Sequence, residues 1–212
     1  GGVRQHECEE LIEIGGLECP VHRAEALVLG SGAAGLRAAV ELKRSGVDVA
    51  VCTTGLFAGT SACSGSDKQT LHTAGTGNRG DDFIKLAGDI GSGGAMDTDT
   101  AYAEAVGSIP AFAGLQFLGL PLPQDRFGAV LRYQTDHDEV GRATSCGPRT
   151  SRLMVKVLAE EAIRLDIPFL TRTTGVRILQ EDGQVKGLIA IDRDRSVNQY
   201  GLKVILCNRL VL

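Results

Sequence analysis

The stretch that decides the fold is LVLGSGAAG, residues 27–35. Leu27, Val28 and Leu29 form a short apolar run that stops at Gly30. After Ser31, Gly32, Ala33, Ala34 and Gly35 the spacing becomes helical, with Leu36, Ala39, Val40 and Leu42 apolar and Arg37, Lys43 and Arg44 polar. Strand, glycine turn, helix is the context that makes GxGxxG informative. Gly30 permits the tight turn, Gly32 presents no Cβ to a pyrophosphate, and Gly35 lets the helix lie against the strand. The first N–H groups of the helix, at the positive end of its dipole, face such phosphates. GVDVAVCTT then supplies a second strand, with Val47, Val49 and Val51 expected to alternate, and completes a βαβ unit. The pattern implies a dinucleotide site; a glycine-rich βα turn that binds nothing is the plain alternative.

An NAD site would carry Asp or Glu at the end of the second strand to hold the ribose hydroxyls. Cys52, Thr53 and Thr54 stand there instead. Simple NAD binding loses support, and an FAD site that uses hydroxyls and backbone groups stays open.

The 212 residues suffice for one large domain and its core. A net charge of −4 without any basic run argues against a nucleic-acid partner. No apolar stretch nears the roughly 18–20 residues of a membrane span, and the polar, acidic start has no signal-peptide character. The chain begins with Gly-Gly rather than Met, which leaves room for a missing N-terminus. Cys8, Cys19, Cys52, Cys63, Cys146 and Cys207 show no CxxC spacing and do not cluster with the four histidines, so no metal site is expected. Scattered cysteines read as small core residues in a reducing compartment, with the cytoplasm as default.

Taken in order, residues 1–24 read as a hairpin extension, EELIEI and LECPV around Gly15-Gly16. Residues 55–80 are dense in Gly, Ser and Thr and, lying past the second strand, read as a backbone cradle for the rest of a cofactor. Residues 81–118 predict helices with Asp and Thr caps, broken or bent at Pro110. Residues 132–151 predict a long polar loop whose Asp136-His137-Asp138 could supply an acid–base group or merely be solvated. A helix returns from Ser151, with Thr150 or Ser151 as cap. IPFLTRTTGVRIL predicts a strand, EDGQVKGLIAIDRD a hairpin turning at Asp182-Gly183, and LKVILCNRLVL a closing strand. No linker divides the chain.

This ordered pattern resembles the flavoprotein subunits of fumarate reductase and succinate dehydrogenase. The GSGAAG turn, the second strand running into GLFAGTS, and the helix leading to IPFLTRTTGVRILQEDGQVKGLIAID carry the resemblance over most of residues 25–212. SGSDKQT and TDHD look like a less characterised bacterial branch. The expected fold is α/β: a Rossmann-like FAD-binding domain over residues 25–212 with a parallel central sheet, an extra β-hairpin layer and a helical insertion. The resemblance implies extended FAD, with ADP over Gly30–Gly35, including Ser31, Gly32, Ala33 and Ala34, and the flavin toward residues 60–70. Thr53 and Thr54 lie where the adenosine part would be held, Thr60 and Ser61 match positions near pyrophosphate and flavin, and Val176 matches a residue that meets adenine through its backbone.

Two departures follow. The respiratory members carry a flavin-linked histidine just after this serine, where Ala62 stands here, and His72 is ten residues too late to replace it; non-covalent FAD is expected. In the family, a strand like Arg209–Leu212 runs on into Ala-Thr-Gly-Gly, which this chain does not reach, so an N-terminal fragment without the capping domain is expected, its catalytic residues lying beyond Leu212. The implied activity is hydride exchange between flavin N5 and a small molecule, with a dicarboxylate or enoate suggested by family alone, and an electron-donor or electron-acceptor protein as possible partner. An NAD(P)-dependent dehydrogenase domain and a non-enzymatic nucleotide-binding or electron-transfer subunit completed by a partner are the rival readings.

Overall fold

The computed structural model describes residues 2–66, 69–75, 80–136 and 138–212. The chain packs as two compact units, one of residues 1–64 with 155–212 and one of residues 65–154. In the first, strand β1 (Glu10–Ile14) turns at Gly15-Gly16, both at positive φ, into β2 (Leu17–Leu29). β2 is one uninterrupted strand of 13 residues, so the hairpin's return arm and the LVL run are the same element. Helix α1 (Ala33–Arg44) and strand β3 (Val49–Cys52) complete the βαβ unit, and α2 (Thr60–Cys63) is a single turn beyond it.

The second unit holds β4 (Leu71–His72), helices α3 (Phe83–Gly91) and α4 (Thr98–Phe117), and strands β5 (Tyr133–Thr135) and β6 (Asp138–Thr144). Helix α5 (Thr150–Arg164) brings the chain back to the first unit. There β7 (Phe169–Leu170), β8 (Thr173–Glu181), β9 (Gln184–Asp192) and β10 (Leu202–Val211) finish the sheet.

The sheet of the first unit runs β7-β3-β2-β10-β9-β8, with β1 beside β2. β7, β3, β2 and β10 are parallel, placing Leu27 opposite Ala50 and Leu210, and Val51 opposite Phe169. The β8–β9 hairpin joins this ladder through β10 and turns at Asp182 and Gly183, φ 51° and 74°, the backbone of a two-residue hairpin loop. Val49 and Val51 alternate with Ala50 and Cys52 between the two faces of β3, Val47 lies before the strand, and neither face is polar: all four residues of β3 are buried. A parallel strand covered on both faces needs no polar side. One face gathers Leu27, Ala50, Cys52, Leu170, Leu188 and Ile205. By alternation Val28, Val51 and Phe169 occupy the other, where α1 buries Leu36, Ala39 and Val40 against β2 and β3. The run expected as one strand from Pro168 is two, because Arg172 adopts φ 52° between β7 and β8.

In the second unit, Asp82 caps α3 by accepting from the Lys85 N–H at 2.8 Å, and Asp97 caps α4 by accepting from Thr100 at 2.9 Å. α4 runs its full 20 residues through Pro110, so of the expected break or bend the break is not there. Ala105 and Ile109 pack with Leu86 and Ile90 across α3, and that burial carries the helix past the missing N–H.

Residues 132–151 are not the predicted loop; they contain β5 and β6, paired with each other and with β4. The buried Arg142 explains why. Its guanidinium donates to Asp81 from Nε at 3.0 Å and Nη2 at 2.6 Å, to Asp89 at 2.7 Å, and to Asp138 at 3.3 Å. The Asp138 carboxylate also accepts from the Arg142 N–H at 2.6 Å. A stretch that looks uniformly polar is thereby folded around one paired cation.

Arg142 holds the Asp81 and Asp89 carboxyls below the usual carboxylate range. Because these values are lowered in the folded state, their contribution is complete above the ordinary carboxylate value of about 4 and is lost as pH falls through the lowered values. Arg142→Ala should cost about 3–5 kcal/mol by leaving buried carboxylates without a counter-ion. It should also flatten the acid limb of stability in urea unfolding followed from neutral pH downward.

Candidate functional site

β2 delivers the chain to Gly30, whose φ of 109° is open to glycine and whose N–H donates to the Cys52 carbonyl at 2.8 Å. The turn is thus tied to the end of β3. Ser31 is buried and shares a 2.8 Å hydrogen bond with the equally buried Thr53 hydroxyl, and its Oγ lies 3.1 and 3.2 Å from the carbonyl oxygens of Gly55 and Leu56. Thr53 closes the arrangement, its Oγ1 accepting from the Gly55 N–H at 3.2 Å. Two residues singled out as cofactor contacts therefore face each other and brace the turn. Thr54, next along, is exposed.

Gly32 caps α1 through its backbone, and the helix starts without a side-chain cap and without an acidic residue in its first turn. Its positive end is therefore uncompensated by local carboxylates. The Ala33 N–H donates to Ser61 Oγ at 3.3 Å, and a Cβ on Gly32 would also stand 3.3 Å from that oxygen. Gly59 precedes α2 as its backbone cap, and a Cβ there would lie 3.8 Å from Gly32 Cα. The structure brings Ser61 to the helix start; Thr60 and Ala34 are exposed beside it. A Cβ on Gly35 would sit 2.3 Å from the Gly30 carbonyl oxygen and 3.3 Å from Val28 Cγ1, which is the close helix–strand approach the fingerprint requires.

β8 borders the same edge. The Thr173 N–H donates to the Thr53 carbonyl at 3.0 Å, and a Cβ on Gly175 would crowd Leu29 Cδ2 at 3.1 Å. Val176 follows, half exposed at 52%. Sequence reasoning misses Gly59 and Gly175. Their signals are a glycine just before Thr-Ser and a glycine inside an otherwise regular strand, each marking close backbone approach. Gly30, Thr53 and Thr54 thus follow the ends of the parallel strands β2 and β3, with Gly32, Gly35 and Ser61 at the adjoining helix starts, the edge where such sheets bind nucleotides, while Val176 lies within the antiparallel β8. A bare, positively polarised helix start beside a glycine whose missing Cβ leaves the backbone open fits a pyrophosphate-bearing cofactor.

The remaining candidates are less concentrated. His137, Asp67 and Lys68 lie outside the described residues, as do residues 76–79 of the expected cradle. Asp138 is bonded to Arg142, and both line, with Asp136, His72, Glu104 and Tyr133, a cavity of about 530 Å³ in the 65–154 unit. The six cysteines are free; Cys19, Cys52 and Cys207 are buried, and burial pushes the Cys52 thiol up to about 12. Among the described residues no helix is long and apolar enough to cross a membrane.

Comparison with known proteins gives a family and a fold. The family described as FAD binding domain matches residues 25–208. The 8-methylmenaquinol:fumarate reductase flavoprotein subunit of Wolinella succinogenes is 26% identical over 171 residues, covering 79% of this chain and 28% of that protein. The succinate dehydrogenase flavoprotein subunit of Rickettsia conorii is 25% identical over 187 residues, covering 82% and 30%. Among solved structures, Mycobacterium smegmatis Sdh1 in complex with UQ1 superposes with a TM-score of 0.79 at 20% identity, covering 90% of this chain and 33% of that one. The chain spans under a third of the length of the curated relatives it matches.

Gly35→Ala should lift α1 from the turn and lower stability by about 1–3 kcal/mol or more through overpacking. Gly88→Ala, within α3 where a Cβ meets nothing within 4 Å, should instead be neutral or stabilising by up to about 1 kcal/mol. Thermal unfolding of the two variants checks the contrast.

Proposed function

The chain belongs to the FAD binding domain family, and from that membership we propose that it forms the FAD-binding part of a flavin-dependent oxidoreductase of the fumarate reductase and succinate dehydrogenase flavoprotein type. Its cofactor is FAD. Bound there, FAD supplies a hydride donor and acceptor in its ring system.

The observation that carries the site assignment is the Gly30–Gly35 turn, where a Cβ-free helix start meets Ser61. On this reading the Gly32 to Gly35 backbone, with Ala33 and Ala34, receives the pyrophosphate. Ser61 moves from the Ala33 N–H to the cofactor, with Thr60 beside it. Ser31 and Thr53 keep the turn rigid, Thr54 serves the ribose end, and the backbone at Val176 meets the adenine. The protein holds FAD non-covalently, because Ala62, buried behind Ser61, offers no nucleophile. We assign residues 25–212 to this domain with residues 1–24 as its hairpin extension. The substrate class is a small dicarboxylate or enoate, the partner an electron-transfer protein, and the compartment the cytoplasm. Relatives named fumarate reductase and succinate dehydrogenase support the first two, and six free cysteines the third.

Purified protein, supplemented with FAD, should show the two visible flavin bands and release free FAD into the supernatant on acid or SDS denaturation. Gly32→Val should lower FAD affinity at least about tenfold by filling the space the pyrophosphate needs. Colourless protein that does not take up added FAD would overturn the cofactor site, and flavin that stays with the denatured chain would overturn the non-covalent reading.

A further inference from the structure

The segment His6-Glu7-Cys8-Glu9-Glu10 has no part in the nucleotide site, yet it is firmly placed. The His6 N–H donates to the Phe169 carbonyl and the Phe169 N–H to the Arg4 carbonyl, each at 2.8 Å, so residues 4–6 extend the β7 edge. The Glu9 N–H donates to the Val21 carbonyl at 2.9 Å. Between these anchors the His6 ring stands against the ring of His22, a buried residue of β2, with centroids 5.3 Å apart and planes at 69°.

Three atoms converge there. His6 Nδ1 and His22 Nδ1 are 3.3 Å apart, and each is 2.9 Å from the Glu7 carbonyl oxygen. Each neutral imidazole carries one ring hydrogen. When both rings carry their hydrogen on Nδ1, the Glu7 carbonyl oxygen accepts from each through its two lone pairs. With the hydrogens on Nε2 instead, both Nδ1 lone pairs lie beside the carbonyl oxygen, three donor atoms within 3.3 Å of one another. An ion about 2.0–2.1 Å from each nitrogen subtends a nearly tetrahedral angle across a 3.3 Å separation.

We propose that His6 Nδ1, His22 Nδ1 and the Glu7 carbonyl form a binding site for a divalent late transition ion, Zn(II) or a congener, tying the N-terminal segment to β2. Among the described residues no group of three or more His, Cys, Asp or Glu side chains is placed to hold a metal ion. Two imidazoles and a carbonyl are then the protein's contribution, and water completes the shell. Imidazole selects this class of ion over calcium or magnesium. The surrounding charge permits it: Lys203, which faces His22, is paired with Asp192 at 3.2 Å, and Arg23 is paired with Glu9 at 3.2 Å and with Glu10.

Co(II) is the probe, because its d–d bands report tetrahedral geometry and thiolate ligands add charge-transfer absorption. The whole chain should take up one Co(II), displaced by Zn(II), with d–d bands and no thiolate transition, and Zn(II) should raise Tm. His6→Ala, on the half-exposed partner, should weaken Zn(II) binding about a hundredfold in calorimetry and abolish the Tm rise, while the flavin spectrum stays unchanged. Cys8→Ser should bind as the parent does. No uptake, uptake unaffected by His6→Ala, a thiolate transition, or loss of binding in Cys8→Ser would each overturn the proposal.

Discussion

Helix α1 begins so near the end of β2 that a methyl group at Gly35 would stand 2.3 Å from the Gly30 carbonyl oxygen. This contact aims the positive end of the helix at the turn and brings its first N–H within reach of Ser61. It also forces Gly30 into a backbone region that side chains resist. Once the turn is set this way, the Ser31 hydroxyl has nowhere to go but inward. It finds Thr53 at the end of β3, which couples the loop after one parallel strand to the turn after its neighbour. The site's rigidity rests on one hydroxyl pair beneath a backbone that has almost no side chains to rearrange.

Elsewhere the fold meets the cost of buried charge by pairing. In the unit of residues 1–64 and 155–212, the buried Glu161 accepts from Arg44 and Arg164, and Lys203 meets Asp192 between β10 and β9. In the unit of residues 65–154, Arg142 gathers Asp81, Asp89 and Asp138. Arg44 and Glu161 are 117 positions apart, and Asp81 and Arg142 are 61 apart. Such pairs leave no periodic trace along the chain.

That distinction explains which elements are legible. The β1–β2 and β8–β9 hairpins announce themselves through Gly15-Gly16 and Asp182-Gly183, because positive φ is a local demand met by local residues. α1 shows in the spacing of Leu36, Ala39 and Val40. The misreadings share a different cause. β3 is buried on both faces by neighbours the sequence does not place, and it is shorter than the run from Val47 suggests. Pro110 reads as a break or a bend, and the break is absent because α3 packs on α4, which is invisible from α4 alone. Residues 132–151 look like a loop because the partners of Arg142 lie on other elements.

For the site itself, the order of residues alone settles the three glycines, the helix start they expose and the absence of an acid after β3. Each depends on which atoms a residue lacks, and that is readable without coordinates. Only the folded chain shows which hydroxyls face the turn and which brace it: Ser61 against Ala33, Ser31 against Thr53, and Thr173 and Gly175 closing in from β8. The difference is one of reach. A backbone turn is specified by neighbours one or two bonds away, while a hydrogen bond between strands depends on sheet order and register, which the whole core sets together.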